Sequence, residues 1–180
     1  MKLGQTLRVL AIAALALAAA SCAETTKIDA AGDIHAFLIA IRDSDRAGFD
    51  AHVDREALKI QIRSRIMAEA AKRDDKNGEL IAMAAMLGRP VLDKLSDAFI
   101  QPDVFRAVAQ YLGYSADKPI PGQFAISRAL KPIDAENVCV VTKRDGPCLL
   151  DFRNEDGVWK LTGFEGDMAT LKSPKMKLGF

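Results

Sequence analysis

Few of the residues that ordinarily carry chemistry are present in this chain of 180 residues: it has two histidines, one tryptophan and three cysteines. His35 and His52 lack a recognisable ligand spacing, whereas a zinc or iron site needs three or four ligands with supporting partners. There is no GxSxG turn for a serine nucleophile and no glycine loop for a phosphate. A positive excess is missing too, since 25 basic residues face 24 acidic ones. That balance removes the electrostatic basis for nucleic-acid binding. Long apolar runs are also absent. Val9 to Ala20 has twelve residues, too few to cross a bilayer comfortably. These absences point away from an enzyme and imply no cofactor and no metal.

What is present at the start of the chain speaks of location. Lys2 and Arg8 give a positive region, the apolar run follows, and Ala19-Ala20-Ser21-Cys22 closes it. That order reads as a secretory signal. With a cysteine directly after the small residues, it resembles a bacterial lipoprotein signal, in which the chain is cut before Cys22 and the thiol is acylated. An ordinary signal peptide with Cys22 incidental is the alternative. On the lipoprotein reading, residues 1–21 are the signal and 22–28 the anchor and a polar tether. Residues 29–166 form a single domain, and 167–180 a basic tail with Lys172, Lys175 and Lys177. That tail reads as a solvated terminus. Ala23, rather than an aspartate, after the cysteine favours the outer membrane. Loss of Lys2 and Arg8 leaves 23 basic residues against the 24 acidic ones.

Cys139 and Cys148 then remain as a pair, and paired cysteines in exported chains usually form disulfides. They flank what reads as a strand, a turn and a second strand. A turn centred on Lys143-Arg144 would set them opposite each other, and one on Asp145-Gly146 would stagger them.

Helical periodicity fills the first two thirds of the chain. Ile34, Phe37, Leu38 and Ile41 form one stripe, and Asp43-Ser44-Asp45 can cap a short helix over Arg46 to His52. Asp54 can cap a longer helix reaching about Arg73. After the polar Asp74–Gly78 stretch comes Leu80 to Leu87, an apolar run suited to a buried helix. Two more stripes follow: Val91, Leu92, Leu95 and Phe99, then Val104, Phe105, Val108 and Leu112. Beyond a proline-rich connection, four segments read as strands: Gln123–Lys131, Asn137–Lys143, Cys148–Arg153 and Val158–Phe164. Asp145-Gly146 and Asp156-Gly157 are hairpin dipeptides. The expectation is an α+β fold, with helices (29–113) packed on a four-stranded antiparallel meander (123–164).

The stretch FLIAIRDSDRAGFDAHVDREALKIQIRSRI from Phe37, together with LGRPVLDKLSDAFIQPDVFRAVAQ, resembles bacterial envelope proteins carrying the domain of unknown function 2939 over residues 30 to 112. Its pattern is an amphipathic helix, an Asp-centred turn, a short helix, Val-Asp and a long helix. The resemblance implies no activity. RDSDRAGFDAHV and the final GVWKLTGFE are also similar to nuclear-transport-factor-2-like domains.

Asp43, Asp45, Asp50 and Asp54 could pair for acid–base work or bind calcium, but helix capping already accounts for aspartates at helix starts. Met67, Met83 and Met86 could suggest a soft-metal site, though methionine ordinarily fills cores. Trp159 reads as a core anchor. If the sheet instead curls round a cavity, Trp159, Phe124, Phe152 and Met83 would line a ligand pocket. The sequence therefore leads to a lipid-anchored envelope protein acting as an interaction or structural module. Its partners would be the membrane, through the lipid, and another envelope protein. A periplasmic binder of small ligands, with an apolar pocket between sheet and helices, is the alternative.

Overall fold

The computed structural model describes residues 24–72, 89–111, 114–115, 118–143 and 145–165. Helices come first and strands second, so the fold is α+β as expected. Helix α1 occupies 24–43 and takes in residues 24–28, which the sequence suggested as a tether. Its buried stripe of Ala30, Ala31, Ile34, Phe37, Ala40 and Ile41 faces the core. It stops at Ser44, whose φ of 55° is the left-handed conformation that ends many helices. Two hydrogen bonds close the turn, from Ser44 N to Ile41 O and from Asp45 N to Ala40 O. Asp45 then caps α2 (Arg46–Ala51) by accepting from Ala47 N and Gly48 N. The turn is tight enough to demand glycine at 48, where a Cβ would lie 2.6 Å from Asp45 Oδ2 and 3.2 Å from Ala40 Cβ.

Asp54 begins α3 (Arg55–Lys72), its carboxylate accepting from Ala57 N at 3.0 Å. The neighbouring helix α4 (Arg89–Phe99) is tied to α3 by Lys59–Asp97 and Arg63–Asp93 pairs, both at 3.0 Å. Helix α5 (Pro102–Tyr111) reaches the C-terminal end of α1, where Ser44 Oγ donates to Asp103 and Arg106 donates to Arg42 O. All four aspartates of the acidic series are thus engaged. Asp45 and Asp54 cap helices, while Asp43 pairs with Arg42 and Asp50 with Arg55.

The first expected strand is corrected. Gln123–Arg128 is helix α6, and only Leu130–Pro132 is strand β1. Phe124 is 70% exposed while Ile126 and Leu130, a helical four apart, are buried. Gly122 O accepts from Ala125 N and Ile126 N, and the Arg128 guanidinium stacks on the Phe124 ring one turn away. These local contacts favour a helical turn. The remaining strands are β2 (Asn137–Val141), β3 (Cys148–Glu155) and β4 (Val158–Phe164), in the antiparallel order β1-β2-β3-β4. Asp156 and Gly157 both have positive φ, 53° and 85°, as a two-residue hairpin turn requires.

Val138, Phe152, Leu161 and Trp159 meet the helices across one sheet face. Phe37 is central, with ring centroids 5.5 Å from Phe49, 6.2 Å from Phe105 and 5.9 Å from Phe152. The outer edge of β4 is closed by the helical half. Trp159 N donates to Asp33, Leu161 N to His52 O, and Leu161 O accepts from Asp54 N. The Gln61 amide exchanges two hydrogen bonds with the backbone of Phe164, as a neighbouring strand would. Edge polar groups that would otherwise invite another chain are thereby occupied.

Candidate functional site

Polar side chains gather where the first turns of α1 cross β4. Asp29 and Asp33, four apart on one helix, share a face. Asp29 Oδ2 accepts the Trp159 indole N–H at 2.9 Å, and Asp33 Oδ2 accepts the Trp159 backbone N–H at 2.8 Å. His52 donates through Nδ1 to Gly48 O at 2.8 Å, because a carbonyl can only accept. That leaves Nε2 at 3.7 Å from Asp33 Oδ1, an ion pair whenever the ring is protonated. His35 lies two residues beyond Asp33 on α1 and donates from Nδ1 to Pro121 O at 2.8 Å.

Above Trp159 lies an open depression of about 270 Å³, lined by Thr25, Thr26, Asp29, Ala135, Asn154 and Trp159. Its walls mix hydroxyl, carboxylate and amide groups with the indole, so it offers hydrogen bonds rather than an apolar enclosure. Its one carboxylate, Asp29, accepts from the Trp159 indole, and with Asp33 beside it holds that residue against α1. Among the described residues, no buried side-chain nitrogen or oxygen lacks a partner.

Of the four residues expected to line an apolar pocket, Phe152 and Trp159 lie together in the core, each 1% exposed. Phe124 is on the outside of α6, so the structure does not bring it to them. Met83 lies outside the described residues, as do Cys22, Met86, the Asp74–Gly78 stretch, the Leu80–Leu87 run, Leu112, Gly113, the tail 167–180 and the side chain of Met67. Asp29 was not legible as a site residue. Its only signal was a carboxylate pair spaced four apart beside the α1 stripe.

Cys139 and Cys148 form a disulfide with Cα atoms 5.4 Å apart. Cys148 stands opposite Val141 and Cys139 opposite Asp151, the staggered arrangement, and a bulge at Leu149 lets the diagonal pair meet. Asp151 lies close to both sulfurs. The thiols are spent on each other, so this trio has only its carboxylate to offer an ion. Burial pushes the Asp151 carboxyl above its usual range, and Glu165 nearby adds to the effect. The folded chain therefore holds that proton more tightly than the unfolded chain. Stability from this group is lost as pH rises through the window between the ordinary and the raised value, and the cost is complete above it. Asp151→Asn is expected to be more stable than wild type in urea unfolding at about pH 7, an advantage that vanishes near pH 3. A variant weaker than wild type at neutral pH would show instead that the charge is stabilising.

Among the described residues no helix is long and apolar enough to cross a membrane. The model of a family described as "protein of unknown function (DUF2939)" matches residues 10–108. No curated protein and no solved structure matches the chain.

Proposed function

We propose, from the premise that this chain belongs to the DUF2939 family of proteins of unknown function, that it is a lipid-anchored protein of the bacterial envelope. It acts there as a non-enzymatic interaction module, with Cys22 acylated at the periplasmic face of the outer membrane. The observation that carries this reading is the Cys139–Cys148 disulfide, a bond that persists in oxidising compartments and is rare in the cytosol. The family match begins at residue 10 and so takes in nearly all of the apolar run that precedes Cys22. The structural use of Asp29 and Asp33, both engaged by Trp159, supports a module built for packing rather than turnover. A small-ligand binder is the second reading. It rests on the open depression beside Trp159, and would show as a thermal shift with polar extracts.

The test compares full-length wild type with Cys22→Ala in a bacterial host, by intact mass and membrane fractionation. Wild type is expected to carry diacylglycerol and pellet with membranes, the variant to do neither. Two soluble, unmodified proteins would overturn the anchor.

A further inference from the structure

Three of the large apolar residues on the surface surround one end of the domain. Ile28 of α1 is 55% exposed, Phe124 of α6 70%, and Ile133, just after β1, 55%. Their grouping follows from the packing. Gly32, one turn beyond Ile28 on the same face of α1, has its Cβ position 3.9 Å from Gln123 Nε2, which places the start of α6 alongside. His35 bonds Pro121 O on that same face. Ala135, two residues after Ile133, shares the open depression with Thr25 and Thr26 of the first turn of α1. Phe124 also carries Arg128 over its ring, 4.4 Å from the centroid, an aromatic–arginine pair suited to a boundary between apolar and wet phases.

We infer that this end of the domain is a membrane-contact face, with Ile28, Phe124 and Ile133 seated in the interfacial layer of the bilayer that holds the lipid. The inference rests on the acylation of Cys22 proposed above, and chain length then selects the occupant. Cys22 precedes Glu24 by two residues, a reach of at most about 7 Å. Ile28 follows Glu24 by four helical residues, about 6 Å of rise. An anchored Cys22 thus keeps this end within an interfacial layer's depth of the acyl chains, whereas the end of α1 near Arg42 and Asp43 is about 22 Å beyond Ile28 along the helix. Charge does not select a lipid type. Lys27, Arg128 and Lys131 are matched by Glu24, Asp134 and Glu136, so attraction comes from apolar burial and is expected to be insensitive to salt.

The test uses the full-length, lipidated protein reconstituted in phosphatidylcholine vesicles with or without brominated acyl chains. Phe124→Trp reports on the proposed face. Val108→Trp reports on α5, which is tied to the far end of α1; wild type with Trp159 alone supplies the background. The emission added by Phe124→Trp is expected to fall by about a third or more in brominated vesicles, as for a side chain at interfacial depth. Added salt is expected to leave that loss unchanged, and Val108→Trp to lose no more than wild type. Unquenched Phe124→Trp in a protein that carries lipid and pellets would overturn the contact face while leaving the anchor intact. Sedimentation of a dimer that Phe124→Ser abolishes, again without quenching, would overturn it in favour of a second copy of the chain. A mass without lipid would overturn the anchor and this inference together.

Discussion

Trp159→Ala is expected to cost about 3 to 5 kcal/mol of folding stability, the range for deleting a large aromatic from a core. For a domain of this size that is a fall in melting temperature of roughly 6 to 20 °C. The indole is 1% exposed and among the largest fully buried side chains, alongside Phe37, Phe49, Phe152 and Leu161. Truncation also removes the indole donor to Asp29. Trp159→Phe separates the two contributions: it keeps most of the ring in the core and removes only the indole donor. Because Asp29 is exposed and water can replace that donor, the phenylalanine variant is expected to lose about 1 kcal/mol beyond its lost volume. Urea and thermal unfolding followed by far-ultraviolet circular dichroism read both variants without needing the tryptophan signal. Wild-type stability in the alanine variant would show that Trp159 does not hold the core.

Breaking the disulfide is expected to cost about 2 to 3 kcal/mol, the loop-closure entropy returned to the unfolded chain by a short loop. The two cysteines are nine residues apart. The variant to use is Cys139→Ala with Cys148→Ala, since Cys139 is fully buried and a serine hydroxyl there would add a separate penalty. Wild type in reductant should lose the same amount, and its mass should rise by two hydrogens. If the alanine pair unfolds at the same urea concentration as oxidised wild type, the bond contributes no net stability.

Much of this fold was legible because its periodicities are long and its punctuation is chemical. The stripe from Ile34 to Ile41, the caps at Asp45 and Asp54, and the Asp156-Gly157 turn each act through contacts within a few residues. Sequence spacing alone can therefore find them. Val158–Phe164 is a strand over the span expected. The error at Gln123–Lys131 has a physical cause: six residues are too few to tell period two from one and a half helical turns. Local contacts favour the helical turn there, and Pro121 and Gln123 are seated against α1 about ninety residues distant in sequence, a contact that spacing cannot show. The Asp29 and Asp33 bonds to Trp159 were illegible for the same reason. They join residues more than a hundred apart. The stagger of Cys139 and Cys148 was one of two arrangements open to the sequence, and the bulge at Leu149 settles it.

The closed edge of β4 bears on the order in which this protein comes into being. Asp33, His52, Asp54 and Gln61 leave the ribosome long before their partners at 159, 161 and 164, because synthesis runs from the first residue to the last. Until then Asp33 of α1 and Gln61 of α3 have no strand to bond. The early helices must wait, and pairings this distant in sequence form slowly. A nascent chain stopped short of residue 158 would hold the helices and three strands but lack Trp159 and Leu161 from their shared core, and the last strand to emerge is the one that commits the whole domain.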